Sequence, residues 1–301
     1  MPLAERAFKG IDPRHLATFV RSLRMAGGTG TWIMAENSLL RMAKRLAEPL
    51  RPRLRPGLFI IGAQKAGTSA LFSMLGSHPR ILAPQVKEPH FFNSNKAYAK
   101  GMREYLDSFP IRPLRGPAPL TLEATVGYLE HPEAAGRLQR HFPEALLVAV
   151  LRDPVDRAFS AWNMFRDFAG HPGREHLVEH RSFEQAIDEE LSGTAAERAR
   201  RYLATGHYAP QLERYARALE EGRLLVFGYS IFKERPREVV AQVLSHLGLD
   251  PEGVPDRAYI IEANKRPYHA TLPTGVRERC EAHCAAWRSE VETALGRPFA
   301  Y

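Results

Sequence analysis

Cysteine is scarce in this chain, two residues among 301. Two cannot build the disulfide framework of a small secreted domain. Cys280 and Cys284 stand one helical turn apart without the Cys/His surroundings of a structural zinc site. They read as free thiols of a reducing compartment. No stretch approaches the roughly 18 consecutive apolar residues of a membrane-spanning helix, and no secretory hydrophobic segment opens the chain. Internal repeats and low-complexity tracts are missing too, which sets aside solenoid and fibrous architectures. Acidic residues are in deficit, 34 against 42 Lys plus Arg, for a formal net charge of +8. That balance favours anionic partners: a nucleotide, an acidic or sulfated substrate, nucleic acid, or an anionic membrane surface. The remaining composition, 44% hydrophobic and 25% charged, is that of an ordinary globular protein. The length suits one large α/β domain or two smaller ones. A soluble cytoplasmic protein is the expectation.

What is present centres on residues 58–75. Leu58-Phe59-Ile60-Ile61 is a short apolar run ending in glycine, the pattern of a buried parallel strand. Gly62-Ala63-Gln64-Lys65-Ala66-Gly67-Thr68-Ser69 follows, and then Leu71, Phe72 and Leu75 at helical spacing. A strand, a Gly-bounded loop and a helix together form a phosphate cradle, in which backbone N–H groups and the positive end of the helix dipole converge on an anion. The Walker A pattern places Lys directly after the second Gly. Here that position is Thr68, and the cation is Lys65, inside the loop. The cradle is kept while its charge has moved. This weakens a Mg²⁺-ATP site and suits a phosphate-bearing donor whose bridging oxygen needs a cation beside it.

Residues 87–92 read Lys87-Glu88-Pro89-His90-Phe91-Phe92. Pro89 restricts Glu88 to extended geometry, and a carboxylate beside apolar rings has the surroundings of a general base. Taken alone, the segment reads better as a surface turn with a Phe-Phe core anchor. A second buried strand, residues 145–151, runs into Arg152-Asp153-Pro154-Val155-Asp156-Arg157-Ala158-Phe159-Ser160. Asp153 as N-cap and Pro154 at the first helical position start a helix there. Arg152 then stands at the carboxyl end of a strand, the edge of an open α/β sheet where ligands bind, and its guanidinium can fork two hydrogen bonds onto a phosphate.

The cradle GAQKAGTSAL followed closely by KEPHFF resembles the sulfotransferases that use 3′-phosphoadenosine 5′-phosphosulfate (PAPS), above all the heparan-sulfate type and its bacterial relatives. The resemblance spans residues 58–295. It implies an α/β fold with a P-loop-like central parallel sheet flanked by helices: a single sulfotransferase domain over 58–301 behind an N-terminal helical extension and linker, 1–57. It implies that Gln64, Lys65, Ala66, Gly67, Thr68, Ser69 and Ala70 hold the 5′-phosphosulfate and that Glu88 removes the proton of a hydroxyl acceptor. Lys65 would neutralise charge on the bridging oxygen, and His90 would orient Glu88 or the acceptor. Arg152 and Ser160 match the family's 3′-phosphate motif. Tyr208, in the family pattern G-x-Y-x-x-x-L with Gly206 and Leu212, falls near the nucleotide, and Lys265 and Arg266 belong to a basic loop that closes over it. Lys87, Glu123 and Thr125 are assigned to the acceptor side. Glu123, Thr125 and Tyr128 match E-x-[ST]-P-x-Y, while Val126 replaces Pro and Ala124 stands where the animal enzymes have Lys. That departure turns the acceptor toward a small molecule or bacterial metabolite. PAPS would be released as 3′-phosphoadenosine 5′-phosphate (PAP). No metal is required, because a sulfuryl group carries less negative charge than a phosphoryl group, and no nucleic acid partner is implied.

Elsewhere, residues 32–50 alternate apolar and basic positions as an amphipathic helix. Peripheral membrane binding, a carrier partner, self-association and packing on its own domain are all open to it. His171, His176 and His180 lie in a polar stretch whose spacing permits metal contact in principle. A lid or acceptor loop fits better, since no Cys or carboxylate pattern completes a site. The polar segment 93–100 reads as a substrate-facing loop, and residues 274–295 as one terminal helix. Two rival functions remain. One is a P-loop kinase with Asp153 on Mg²⁺. The other is a non-catalytic basic protein that binds membrane or nucleic acid through its N-terminal helix.

Overall fold

The central strand of the sheet is β1, Leu58–Gly62, in which every residue is buried. Buried on both faces, a strand has no polar side to present, which is why the sequence shows an unbroken apolar run rather than alternation. In the computed structural model, which describes residues 52–113, 116–196, 200–260, 268 and 270–301, β1 is followed by helix α1 (Thr68–Gly76) and a two-residue strand β2 (Ile81–Leu82). Then come α2 (Met102–Asp107), β3 (Leu120–Glu123), α3 (Ala134–His141), β4 (Leu146–Leu151) and α4 (Pro154–Asp167). The chain continues through α5 (Phe183–Ser192), β5 (Leu224–Gly228), α6 (Pro236–His246), α7 (Thr274–His283) and α8 (Trp287–Leu295). The amphipathic helix expected over 32–50 and the basic turn carrying Lys265 and Arg266 lie outside the described residues. Arg53 and Ile111 pair in an isolated antiparallel bridge.

All strand pairs are parallel, in the order β2-β3-β1-β4-β5. Leu58 faces Leu122 on one side and Leu146 on the other, and Leu147 faces Leu224. The chain builds the β3 side first and then crosses to β4 and β5. The strand order therefore reverses between β1 and β4, and the crevice beyond their carboxyl ends is the expected ligand position of such a sheet. Both loops that the sequence singles out, after β1 and after β4, open there.

The main core gathers β1, β4 and the rings of Phe59, Phe91, Phe92, Tyr105 and Phe142, with a second cluster around Phe159, Trp162, Phe183 and Trp287. Each such side chain, fully buried, contributes about 1.5–3 kcal/mol of transfer free energy.

Two sequence expectations are corrected. The terminal helix over 274–295 is two helices, α7 and α8, broken after His283. Trp287 N–H bonds to Cys284 C=O at 2.9 Å, a tighter turn than the α-helical spacing. The break lets the Trp287 ring stack on His207, with centroids 4.5 Å apart. The segment after Phe92 is not an open loop either. Ser94 caps a helical turn, Asn95–Tyr98, whose Tyr98 ring packs 5.4 Å from Phe91 and hydrogen-bonds His141 at 2.8 Å.

Candidate active site

The loop between β1 and α1 is shaped by two glycines. A Cβ at Gly62 would lie 2.7 Å from the Leu129 side chain. Gly67 has φ +79°, and a Cβ there would meet the Phe232 ring at 2.9 Å. Neither position admits a side chain without displacement. Helix α1 begins with no side-chain cap and no acidic residue in its first turn, so its first N–H groups, ahead of the Ala70 N–H that donates to the Gly67 carbonyl at 3.0 Å, are available to an anion. Lys65 takes a left-handed backbone conformation, φ 71°. Gln64, Lys65, Ser69 and Ala70 are half-buried around the loop, while Ala66 and Thr68 are buried in it.

Arg152 joins this loop to the end of β4. Its Nη1 donates to the Lys65 carbonyl at 3.1 Å, and its guanidinium carbon lies 4.9 Å from the Tyr229 ring centroid. Tyr208 is fully buried and donates its hydroxyl to the Arg152 carbonyl at 2.9 Å. It therefore braces Arg152 from behind, and burial pushes its phenol up to about 12. An open cavity of about 620 Å³ begins at Arg152 and runs past Asp156, Phe159, Tyr268 and Arg277, a volume in the range of nucleotide-sized ligands. Arg277 is held there by Asp156 at 2.7 Å. Ser160, next along α4 after Phe159, is nearly buried at 5% exposure. Asp153 behaves as a cap, since its Oδ1 accepts from the N–H groups of Val155 and Asp156, each at 3.0 Å.

Residues 87–90 meet the cradle from the other side. Lys87 Nζ donates to Ser69 Oγ at 3.0 Å and to Glu88 Oε1 at 2.6 Å. One ammonium group thus spans the phosphate-loop helix and the candidate base. Glu88 Oε2 lies 3.7 Å from His90 Nε2, with Glu88 about one-third exposed. On its other side, His90 Nδ1 pairs with Asn93 Nδ2 at 3.2 Å. With the amide as donor, Nδ1 accepts, and a neutral His90 carries its proton on Nε2, facing Glu88. His90 also holds φ 51°, an uncommon conformation for a residue with a side chain.

The structure places Glu123 and Thr125 beneath this segment. Both are completely buried. Glu123 Oε2 accepts from Tyr105 Oη at 2.5 Å, and its Oε1 accepts from Thr125 Oγ1 at 2.6 Å. Tyr128 Oη in turn accepts from the N–H groups of Phe91 and Phe92 at 3.3 and 3.4 Å. Burial raises the Glu123 carboxyl to about 7, against the pull of its hydrogen bonds. The sequence reading places Asn93 only within a substrate-facing loop and gives Tyr105 no role. Asn93 is one position past the KEPHFF motif. Tyr105 arrives from a helix 18 residues upstream of Glu123, a distance that no local pattern reports.

His171, His176 and His180 are exposed, and the described residues contain no group of three or more His, Cys, Asp or Glu placed to hold a metal ion. The end of that stretch is anchored: Arg181 pairs with Glu179 at 2.7 Å and Glu189 at 2.6 Å, and Tyr202 donates to Glu179 at 2.9 Å. Burial acts to raise Glu179, but the Arg181 and Tyr202 hydrogen bonds prevail and hold it at about 2.

The family model for the sulfotransferase domain matches residues 55–264. Human bifunctional heparan sulfate N-deacetylase/N-sulfotransferase 1 is 30% identical over 222 residues, 72% of this chain and 23% of the relative. The mouse N-deacetylase/N-sulfotransferase 4 is 31% identical over 203 residues, 65% of this chain and 22% of the relative. The matched part of the chain thus spans less than a quarter of the length of these relatives. The crystal structure of a sulfotransferase from Alicyclobacillus acidocaldarius superimposes with a TM-score of 0.64 at 27% identity, covering 81% of this chain and 97% of that one.

Proposed function

The chain belongs to the sulfotransferase domain family, and from that premise we propose that it transfers a sulfuryl group from PAPS to an acceptor hydroxyl, on a small molecule, lipid or saccharide, by in-line displacement. The observation that supports this most is the Lys87 ammonium, bonded at once to Ser69 in the anion cradle and to Glu88. Donor cradle and base are within reach of one side chain, as a displacement at sulfur between them requires.

In this reading, the N–H groups that open α1, with Thr68 and Ser69, hold the donor's 5′ anionic group. Lys65 neutralises charge that develops on the bridging oxygen as PAP leaves. Arg152, with Ser160 of α4 and with Lys265 and Arg266, receives the 3′-phosphate, and the cavity past Phe159 and Tyr268 takes the nucleoside. Glu88 accepts the acceptor proton. His90 Nε2–H, fixed by Asn93, orients Glu88 or the acceptor oxygen. Glu123 and Thr125 are buried, so their part on the acceptor side is to support residues 87–92 from below. Positioning and charge stabilisation then supply most of the acceleration, with no metal required.

Calorimetry with PAP in metal-free buffer tests the donor class. The expectation is tight binding that requires the 3′-phosphate, with AMP much weaker and Arg152→Ala weaker by at least about tenfold, about 1.4 kcal/mol. Preference for ATP with Mg²⁺ would overturn the reading in favour of a P-loop kinase, even though Asp153 Oδ1 already accepts two backbone N–H groups.

A further inference from the structure

We propose that Glu123 is a positioning residue for the transfer reaction: from beneath the sheet edge it fixes the direction of the Tyr128 hydroxyl, and through it the backbone that carries Glu88 and His90. The inference rests on the functional reading above for its consequence, but on geometry for its content.

A phenol oxygen has one hydrogen to donate and two lone pairs to accept with. Phe91 and Phe92 both donate their N–H groups to Tyr128 Oη. The Tyr128 hydrogen must therefore point elsewhere, and the buried polar groups that act on that hydroxyl are Glu123 and Thr125. Thr125 already donates to Glu123 Oε1, and Tyr105 donates to Oε2. The Tyr105 and Thr125 hydroxyl hydrogens thus run to one carboxyl group, which leaves it to receive the Tyr128 hydrogen as well, and only the ionised carboxylate accepts from all sides. Give Glu123 a proton, or an amide in place of the carboxylate, and one hydroxyl must turn round. If Tyr128 turns, it loses an acceptor site for Phe91 or Phe92.

The same strand end fastens the other side of the segment, because Ala124 N–H donates to the Lys87 carbonyl at 3.2 Å. Residues 88–90 are thereby suspended between two clamps, with His90 in its left-handed conformation between them. The groups that face Glu123 are Tyr105 from α2, Thr125 and Tyr128 from the turn after β3, and the Glu88 charge from the segment above, while Arg55 acts on Tyr105. Glu123 titrates near neutrality because burial raises it, so the clamp loosens as pH falls through that range.

Amide hydrogen exchange of the peptide containing residues 87–92 tests this without reference to activity. Wild type, Glu123→Gln and Tyr128→Phe would be compared from pH 6 to 8, with rates corrected for intrinsic exchange. Protection of Phe91 and Phe92 should rise with pH in the wild type. In both variants it should fall at least tenfold and lose its pH dependence. Wild-type protection in both variants, or a pH dependence that persists in Glu123→Gln, overturns the proposal. If Glu123→Gln does not fold, Tyr128→Phe decides alone, since it keeps the ring packing and removes only the hydroxyl. Turnover of PAPS with p-nitrophenol as probe acceptor gives the second readout. Here kcat should drop at least tenfold in Glu123→Gln while the Kd for PAP stays within twofold, and a parallel loss of PAP binding would count against a positioning role. Absence of any turnover in the wild type would count against the functional reading, and the exchange result would still decide the role of Glu123.

Discussion

At the scale of single residues, the proposed chemistry turns on the Lys87–Glu88 pair. An ammonium 2.6 Å from Glu88 Oε1 occupies one carboxylate oxygen and competes with a substrate proton for it. The same ammonium reaches Ser69, so an anion bound in the cradle offers it another partner and leaves Glu88 freer to act. Glu88→Gln removes the proposed base while keeping the shape. It should lower kcat by roughly 10²–10⁴-fold, the usual contribution of general-base catalysis, with PAP affinity unchanged in the same calorimetric assay. Full activity in that variant would sink the base assignment. Lys65→Ala should also lower kcat, since charge on the leaving oxygen would go unanswered, and single-turnover kinetics at saturating PAPS would isolate that step. These residues were legible in the sequence because each falls within a short contiguous motif, where a loop or a strand end fixes which side chains meet. Tyr105 was not, since its contact with Glu123 arises only when the chain folds back on itself.

At the scale of elements, strands β1 and β4 and the start of α4 could be read directly. A doubly buried strand has to be apolar throughout, and Asp153-Pro154 spells a helix start. The structure bears out that cap, and Asp153→Ala should cost about 1 kcal/mol, measurable as a shift in the urea midpoint at unchanged slope. The terminal helix was misread because helical periodicity runs on through residues 284–286, whereas the Trp287 ring has a better partner in His207 than in its own helix. The cradle loop gives the sharper element-level prediction. Gly67→Ala puts a methyl group into a left-handed position already filled by Phe232. The expected loss is about 1–3 kcal/mol of stability, with PAP binding weakened at least tenfold because the first turn of α1 must shift. A variant with wild-type PAP affinity would show that the loop tolerates that shift and that its geometry is not what binds the donor.

For the whole molecule, two buried carboxyl groups pull the pH dependence of stability in opposite directions. Glu179 is held at about 2 by Arg181 and Tyr202, below its ordinary 4.5. Its contribution is present above about pH 4.5 and is lost as pH falls toward 2. Glu123 is raised by burial from 4.5 to about 7. Between those values the folded chain holds a proton that the unfolded chain has released, so stability declines as pH rises through that window, by about 3 kcal/mol at most. The two windows meet near pH 4.5, where these groups together favour folding most. The buried charge at Glu123 is therefore a stability sacrifice made at neutral pH, where the clamp on residues 91 and 92 needs a carboxylate. Removing the charge separates the two effects. Relative to wild type, Glu123→Gln should gain stability as pH rises from 4.5 to 8, by up to about 3 kcal/mol, while its turnover falls increasingly behind that of wild type as pH rises through neutrality. Urea unfolding of both proteins at pH 4.5, 6, 7 and 8 measures the first quantity, and PAPS turnover measures the second. A stability difference that stays constant with pH would mean that Glu123 titrates like an exposed carboxylate and that the hydroxyl network around it does not depend on its charge.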